Sequence, residues 1–165
     1  MRLQIDGGTK LHHRHCRQFV RFFSNRFFTK ECSKQISIKL QFVKRKRIRY
    51  NEPCAEVEWV DNPRQPRKFK VVIFVESKPS LRYIISSLAH EMVHVKQYVK
   101  NELVDLVSTN YNVSMYKNKK YNLNKTPYFD QPWEIEAYGR TPGLLLEYFE
   151  RVKLARKVLK QPVDF

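Results

Sequence analysis

The sequence predicts an α+β fold, a single domain over residues 1–165, and three observations carry that prediction. Apolar side chains recur at helical spacing in residues 10–29. Three stretches between residues 35 and 75 have the alternating or continuous apolar pattern of strands. A second helical pattern, about twenty residues long, follows from Pro79.

Each element can be justified in turn. In residues 10–29, Leu11, Cys16, Phe19, Val20, Phe23 and Phe27 share a face, with Arg and His between them, which predicts an amphipathic helix with a basic outer side. Residues 35–43, Gln-Ile-Ser-Ile-Lys-Leu-Gln-Phe-Val, alternate and form the clearest strand. Beyond a basic loop, Ala55-Glu56-Val57-Glu58-Trp59-Val60 alternates again. Asp61-Asn62-Pro63-Arg64-Gln65-Pro66 is turn chemistry, and Phe69–Val75 is a more continuously apolar strand. Three strands with short connections predict an antiparallel or mixed sheet. Lys78-Pro79-Ser80 suits the opening of a helix, whose apolar stripe is Leu81, Ile84, Ile85, Leu88, Val95 and Val99. Residues 101–131, polar and rich in Asn, Lys and Tyr, read as an irregular surface excursion near the site. Pro132 begins another helix, and Thr141-Pro142 caps a last one with Leu145, Leu146, Phe149, Val152 and Val158 inward.

Composition narrows the functional classes. With 42% hydrophobic residues, 11 Phe, 9 Tyr and 2 Trp, the chain can build a core and is not a disordered one. Only 4 Gly argue against Gly-rich nucleotide loops and a large β-sandwich. Thirty-two Lys+Arg against 16 Asp+Glu give a formal charge of +16, which attracts polyanions; nucleic acid is the most abundant of them. The basic residues cluster at 44–49, 64–70, 117–120 and 151–160, although any one cluster reads equally well as solvated surface. Cys16, Cys32 and Cys54 form no CxxC pair, which excludes a zinc ribbon and fits reduced thiols. No apolar leader or membrane-length segment is visible, so the sequence predicts a soluble cytoplasmic protein.

The motif that carries chemistry is His90-Glu91-Met92-Val93-His94. Residues four apart on a helix lie one turn above each other, so His90 and His94 present two imidazoles to one point, as a zinc ion requires. Zinc lowers the pKa of a water towards ~7, and Glu91 is placed to take its proton during attack on a carbonyl, then to return it to the leaving amine. This spacing arises by chance in roughly one chain per hundred of this composition. A catalytic zinc takes three protein ligands, and the other histidines (His12, His13, His15) all precede the motif. A carboxylate on a following helix is the usual alternative.

Pro132-Trp133-Glu134-Ile135-Glu136-Ala137-Tyr138 supplies one. Here the chain resembles the gluzincin group of zinc peptidases, in which HExxH is followed by a glutamate on a second helix, often as ExxA. Glu134 with Ala137 matches that spacing, so the resemblance implies a zincin-like fold with His90, His94 and Glu134 as zinc ligands and Glu91 as general base. Glu136 is the rival third ligand; the two are about 200° apart around a helix and cannot both face the metal. The resemblance covers the two motif helices. The preceding helix and strands are more loosely similar to small SprT-like zincins, which act on DNA-bound proteins and, like many such compact proteins, are often phage-encoded. Those families usually complete the site with a histidine and often add a zinc ribbon, and this chain has neither.

Other residues are weaker candidates. His12, His15 and Cys16 share a helical face and could bind a second metal, but their basic setting favours a solvated helix end. Gln97 could hold a loop or substrate backbone, or be an exposed polar residue. Tyr138, Tyr111, Tyr116, Tyr121 and Tyr128 are equal candidates for an oxyanion donor. Trp133 and Tyr148 read as core. The function expected is zinc metallopeptidase acting on protein or peptide at or near nucleic acid. The alternatives are a catalytically weak zincin-fold nucleic-acid-binding protein and a zinc amidase acting on another anionic polymer.

Overall fold

The fold is organised around one strand that is apolar on both faces. In the computed structural model, which describes residues 1–46, 53–62, 64–76, 79–108 and 111–158 (the side chains of 107, 108, 111 and 154–158 aside), that strand is Lys68–Val75, designated β4. Phe69 and Val71–Val75 are all buried, as expected of a central strand covered on two sides. Its neighbours are β2 (Ser37–Lys44), parallel to it, and β3 (Ala55–Trp59), antiparallel to it. A further strand, β1 (Arg2–Asp6), runs parallel to β2, so the mixed sheet has the order β1-β2-β4-β3. The three expected strands are present. The fourth, β1, is too short for its alternation to stand out from sequence.

The chain leaves β1 through Gly7 and Gly8, both at positive φ (77° and 74°). A Cβ on Gly8 would lie 2.8 Å from the Phe42 ring, so a larger residue could enter only by displacing it. Helix α1 (Lys10–Phe27) follows, capped by Thr9, whose side chain accepts from His12 N–H while the His12 ring accepts from Thr9 N–H. Cys16, Phe19, Val20 and Phe23 go into the core, each apolar side chain stabilising by ~1.5–3 kcal/mol over exposure. Leu11, expected on that face, is exposed in the first turn. A short helix, α2 (Lys30–Gln35), leads into β2.

Helix α3 (Leu81–Val99) is the second core element, with Ser80 as N-cap accepting from Tyr83 N–H. Ile84, Ile85, Leu88, Met92, Val93 and Val95 are fully buried. Residues 101–131 depart from expectation. They form an antiparallel meander of β5 (Leu103–Ser108), β6 (Tyr111–Tyr116) and β7 (Lys119–Asn122), then a single 3₁₀ turn at Tyr128–Asp130. A two-residue turn with Lys117 and Asn118 at φ 47° and 66° joins β6 to β7. On one face Leu103 and Tyr116 cluster with Trp133, and on the other Val104 pairs with Met115 and Leu106 with Val113, all four half-buried. The Asn, Ser and Lys residues between and around these positions mask the alternation in the sequence.

The two expected C-terminal helices are one, α4 (Pro132–Val158), with Pro142 inside it. An interior proline costs ~3 kcal/mol or more. Here Ala137, Leu144, Leu145 and Tyr148 are buried against the core on both sides of it, which outweighs that cost. Thr141 does not cap a new helix but donates its hydroxyl to Ala137 O at 2.8 Å. Leu146, expected inward, is 68% exposed, and Leu144 takes its place; Val158 lies outside the residues with described side chains. Arg47, Arg49 and Lys160 of the basic clusters are also outside the described residues. No helix among the described residues is long and apolar enough to cross a membrane.

Candidate metal centre

The site lies where the C-terminal half of α3 meets the first turn of α4. His90 and His94 are one turn apart, and their Nε2 atoms approach to 3.2 Å. Glu134, held in the first turn of α4 by Pro132 at its start, sits across from both: Oε2 is 3.2 Å from His90 Nε2 and Oε1 is 3.4 Å from His94 Nε2. One donor atom from each of the three residues falls within a sphere of mutual distances of at most 4.8 Å. Two imidazole nitrogens and a carboxylate oxygen, converging in a nearly dry site, are a donor set that could hold a metal ion. It is the one such group of three or more among the described residues.

Glu136 goes elsewhere. Its carboxylate accepts from Lys96 Nζ at 2.7 Å, Gln97 Nε2 at 3.0 Å, Tyr116 Oη at 2.8 Å and Arg140 Nε at 2.6 Å. Burial works against that carboxylate, but these donors together hold it well below the usual carboxylate range. The N-terminal end of the helix therefore divides its two glutamates. Glu134 faces two imidazoles, and Glu136 faces two cations, an amide and a phenol.

Electrostatics separates Glu134 from Glu91 in the opposite sense. Burial pushes Glu134 up, yet hydrogen bonds from His90, His94 and the Tyr128 hydroxyl (2.7 Å) overcome it and bring the carboxyl down to about 2. Glu91, 5% exposed, is pushed up to about 7 by burial, against the pull of His94 and His90 and with the push of Glu134. Burial lowers His94, but hydrogen bonding to Glu134 and the surrounding carboxylates raises it above the ordinary value overall. One carboxylate is thus held ionised among the donors while its neighbour is placed near neutrality.

Several residues stand differently from their sequence reading. Gln97 is fully buried, neither exposed nor open to a substrate backbone; it links His94 to α4. Tyr128 lies over the site through its bond to Glu134, and the Tyr138 ring packs edge-on to His90 with centroids 4.6 Å apart. Tyr116 is on Glu136, whereas Tyr121 packs on Trp133. Trp133 and Tyr148 are core, as expected. His12, His15 and Cys16 do not assemble. The His12 ring caps its own helix, His15 is buried with Nδ1 2.8 Å from Tyr148 Oη, and Cys16 is in the core, where burial pushes its thiol up to about 12. The α1 start is therefore not simply a solvated basic end. Lys96 is buried between Glu102 and Glu136; in sequence it looks like an ordinary lysine of a helix's last turn, so nothing local marks its role.

Comparison of the chain with protein-family models, with curated proteins and with solved structures finds no match.

Proposed function

We propose that the protein is a zinc-dependent peptidase in which His90, His94 and Glu134 hold the metal and Glu91 is the general base. The single observation that carries this reading is the convergence of the two motif imidazoles on Glu134, with Glu91 buried beside them. The donors suit zinc by chemistry: two imidazole nitrogens and one carboxylate oxygen are a ligand set that catalytic zinc takes. Zinc bound there would supply Lewis acidity, polarising a carbonyl oxygen and acidifying water.

The chain's own residues supply the rest. Glu91 takes the proton of the attacking water on its carboxylate, and burial sets that group near the operating pH. After addition, Glu91 returns the proton to the nitrogen of the leaving amine, which breaks the C–N bond. Glu134, whose carboxyl is brought down to about 2 by its hydrogen-bond partners, is the anionic donor of the group. Tyr128 orients Glu134 from the 3₁₀ turn. The +16 charge of the chain suits a substrate bound to a polyanion, with nucleic acid the leading candidate.

The test combines metal analysis with proteolysis. Purified protein should carry about one zinc per chain, lost in His94→Ala and Glu134→Ala and kept in Glu136→Ala. Wild type, but not Glu91→Gln, should cleave protein substrates, with and without DNA present. Folded wild type that takes up no zinc when it is supplied would sink the reading. Zinc binding with a Glu91→Gln variant that keeps full biological activity would instead favour a zincin-fold nucleic-acid-binding protein. Cleavage of cell-wall amides alone would favour an amidase.

A further inference from the structure

The HExxH helix extends its chemistry one further turn, to Gln97, and the geometry around that side chain is determined on every polar atom. Gln97 is fully buried. Its Nε2 lies 3.0 Å from Trp133 O and 3.0 Å from Glu136 Oε2. Both of those atoms are acceptors only, so they fix the amide with its NH₂ towards α4. Turning the amide over would put its carbonyl oxygen against a carbonyl and a carboxylate. The remaining atom, Oε1, lies 2.8 Å from His94 Nδ1 and can only accept. His94 therefore carries a proton on Nδ1, and Nε2 is the ring atom turned to His90 and Glu134.

We propose that Gln97, held by Glu136, is a positioning residue that sets the His94 tautomer and ring orientation for metal binding; this rests on the metal reading above. Glu136 is itself held by Lys96, Tyr116 and Arg140, so the support for one imidazole runs into α4 and the β5–β7 meander. The two glutamates of the Glu134-Ile135-Glu136 segment then divide the work. One belongs to the donor group, and the other fixes the amide behind it. Among the described residues His90 has no matching support on Nδ1; its ring is packed against Tyr138 instead. Partners of this kind typically change metal affinity 10–100-fold when removed.

Two measurements test the proposal. In zinc-loaded wild type, long-range ¹H–¹⁵N correlation of the imidazoles should show His94 protonated on Nδ1 and metal-bound through Nε2. This needs no substitution, so it holds even if a variant misfolds. In chelator competition, Gln97→Leu should bind zinc about 10–100-fold more weakly than wild type. Glu136→Ala should weaken it in the same direction but less, because Trp133 O still holds one amide hydrogen. His94 protonated on Nε2, or Gln97→Leu binding zinc within about twofold of wild type, overturns the proposal while leaving the metal reading standing. Wild type that binds no zinc overturns both.

Discussion

Helices α1 and α3 both present histidines at helical spacing, and among the described residues only the α3 pair joins a donor group that could hold a metal ion. On α1, His12, His15 and Cys16 stand at i, i+3 and i+4; on α3, His90 and His94 stand at i and i+4. The difference lies in what each face meets. The α1 face turns into the core, where Cys16 is buried alongside Phe19 and Phe23 of the same helix and the Tyr148 hydroxyl of α4 engages His15. The α3 face turns to the first turn of α4, where a carboxylate stands opposite both rings. Spacing aligns side chains, but a site needs a third donor from another element and a charge that suits a cation.

The largest effect that sharpens this contrast is loss of metal. His94→Ala and Glu134→Ala should abolish zinc binding and activity, while His12→Ala and Cys16→Ala keep stoichiometric zinc by elemental analysis. Metal lost from the α1 variants would break the comparison. Next, Glu91→Gln should retain zinc yet lower kcat by ~10²–10⁴-fold, the usual contribution of a general base. A variant that kept its rate would remove Glu91 from the chemistry.

A smaller effect belongs to the α1 side. Tyr148→Phe removes the hydroxyl beside His15 and should cost ~1–3 kcal/mol in denaturant unfolding, with zinc affinity unchanged. Altered zinc affinity there would show that the two regions are coupled. Least in energy is thiol accessibility. Cys54 is exposed and should label rapidly in native protein, whereas Cys16, buried with its thiol pushed up to about 12, should react only on unfolding. Rapid labelling of all three thiols would contradict the packed α1 face.

Much of the fold was legible because its signals are local. Strands β2, β3 and β4 alternate or run apolar, α3 carries a long apolar stripe behind a serine cap, and Pro132 marks the start of α4. The meander was not legible, since its strands are short and Asn, Ser and Lys interrupt their apolar positions. The proline within α4 misled for a related reason. Its local cost is real, and only the burial of Leu144, Leu145 and Tyr148 beyond it keeps the helix continuous.

The sequence by itself determined the α3 histidine pair and the glutamate between them, because helical periodicity places His90 and His94 on one face wherever that helix lies. It also narrowed the third donor to two residues on one helix turn. Only the tertiary structure decided between them. The rotation of α4 against α3 is set by Ala137 and the buried residues after it, and that rotation turns Glu134 to the imidazoles and Glu136 to Lys96, Gln97, Tyr116 and Arg140. The same packing made Gln97 an interior link rather than a surface residue. A side chain's chemistry is written in the sequence, but which partners it meets depends on how two helices settle against each other.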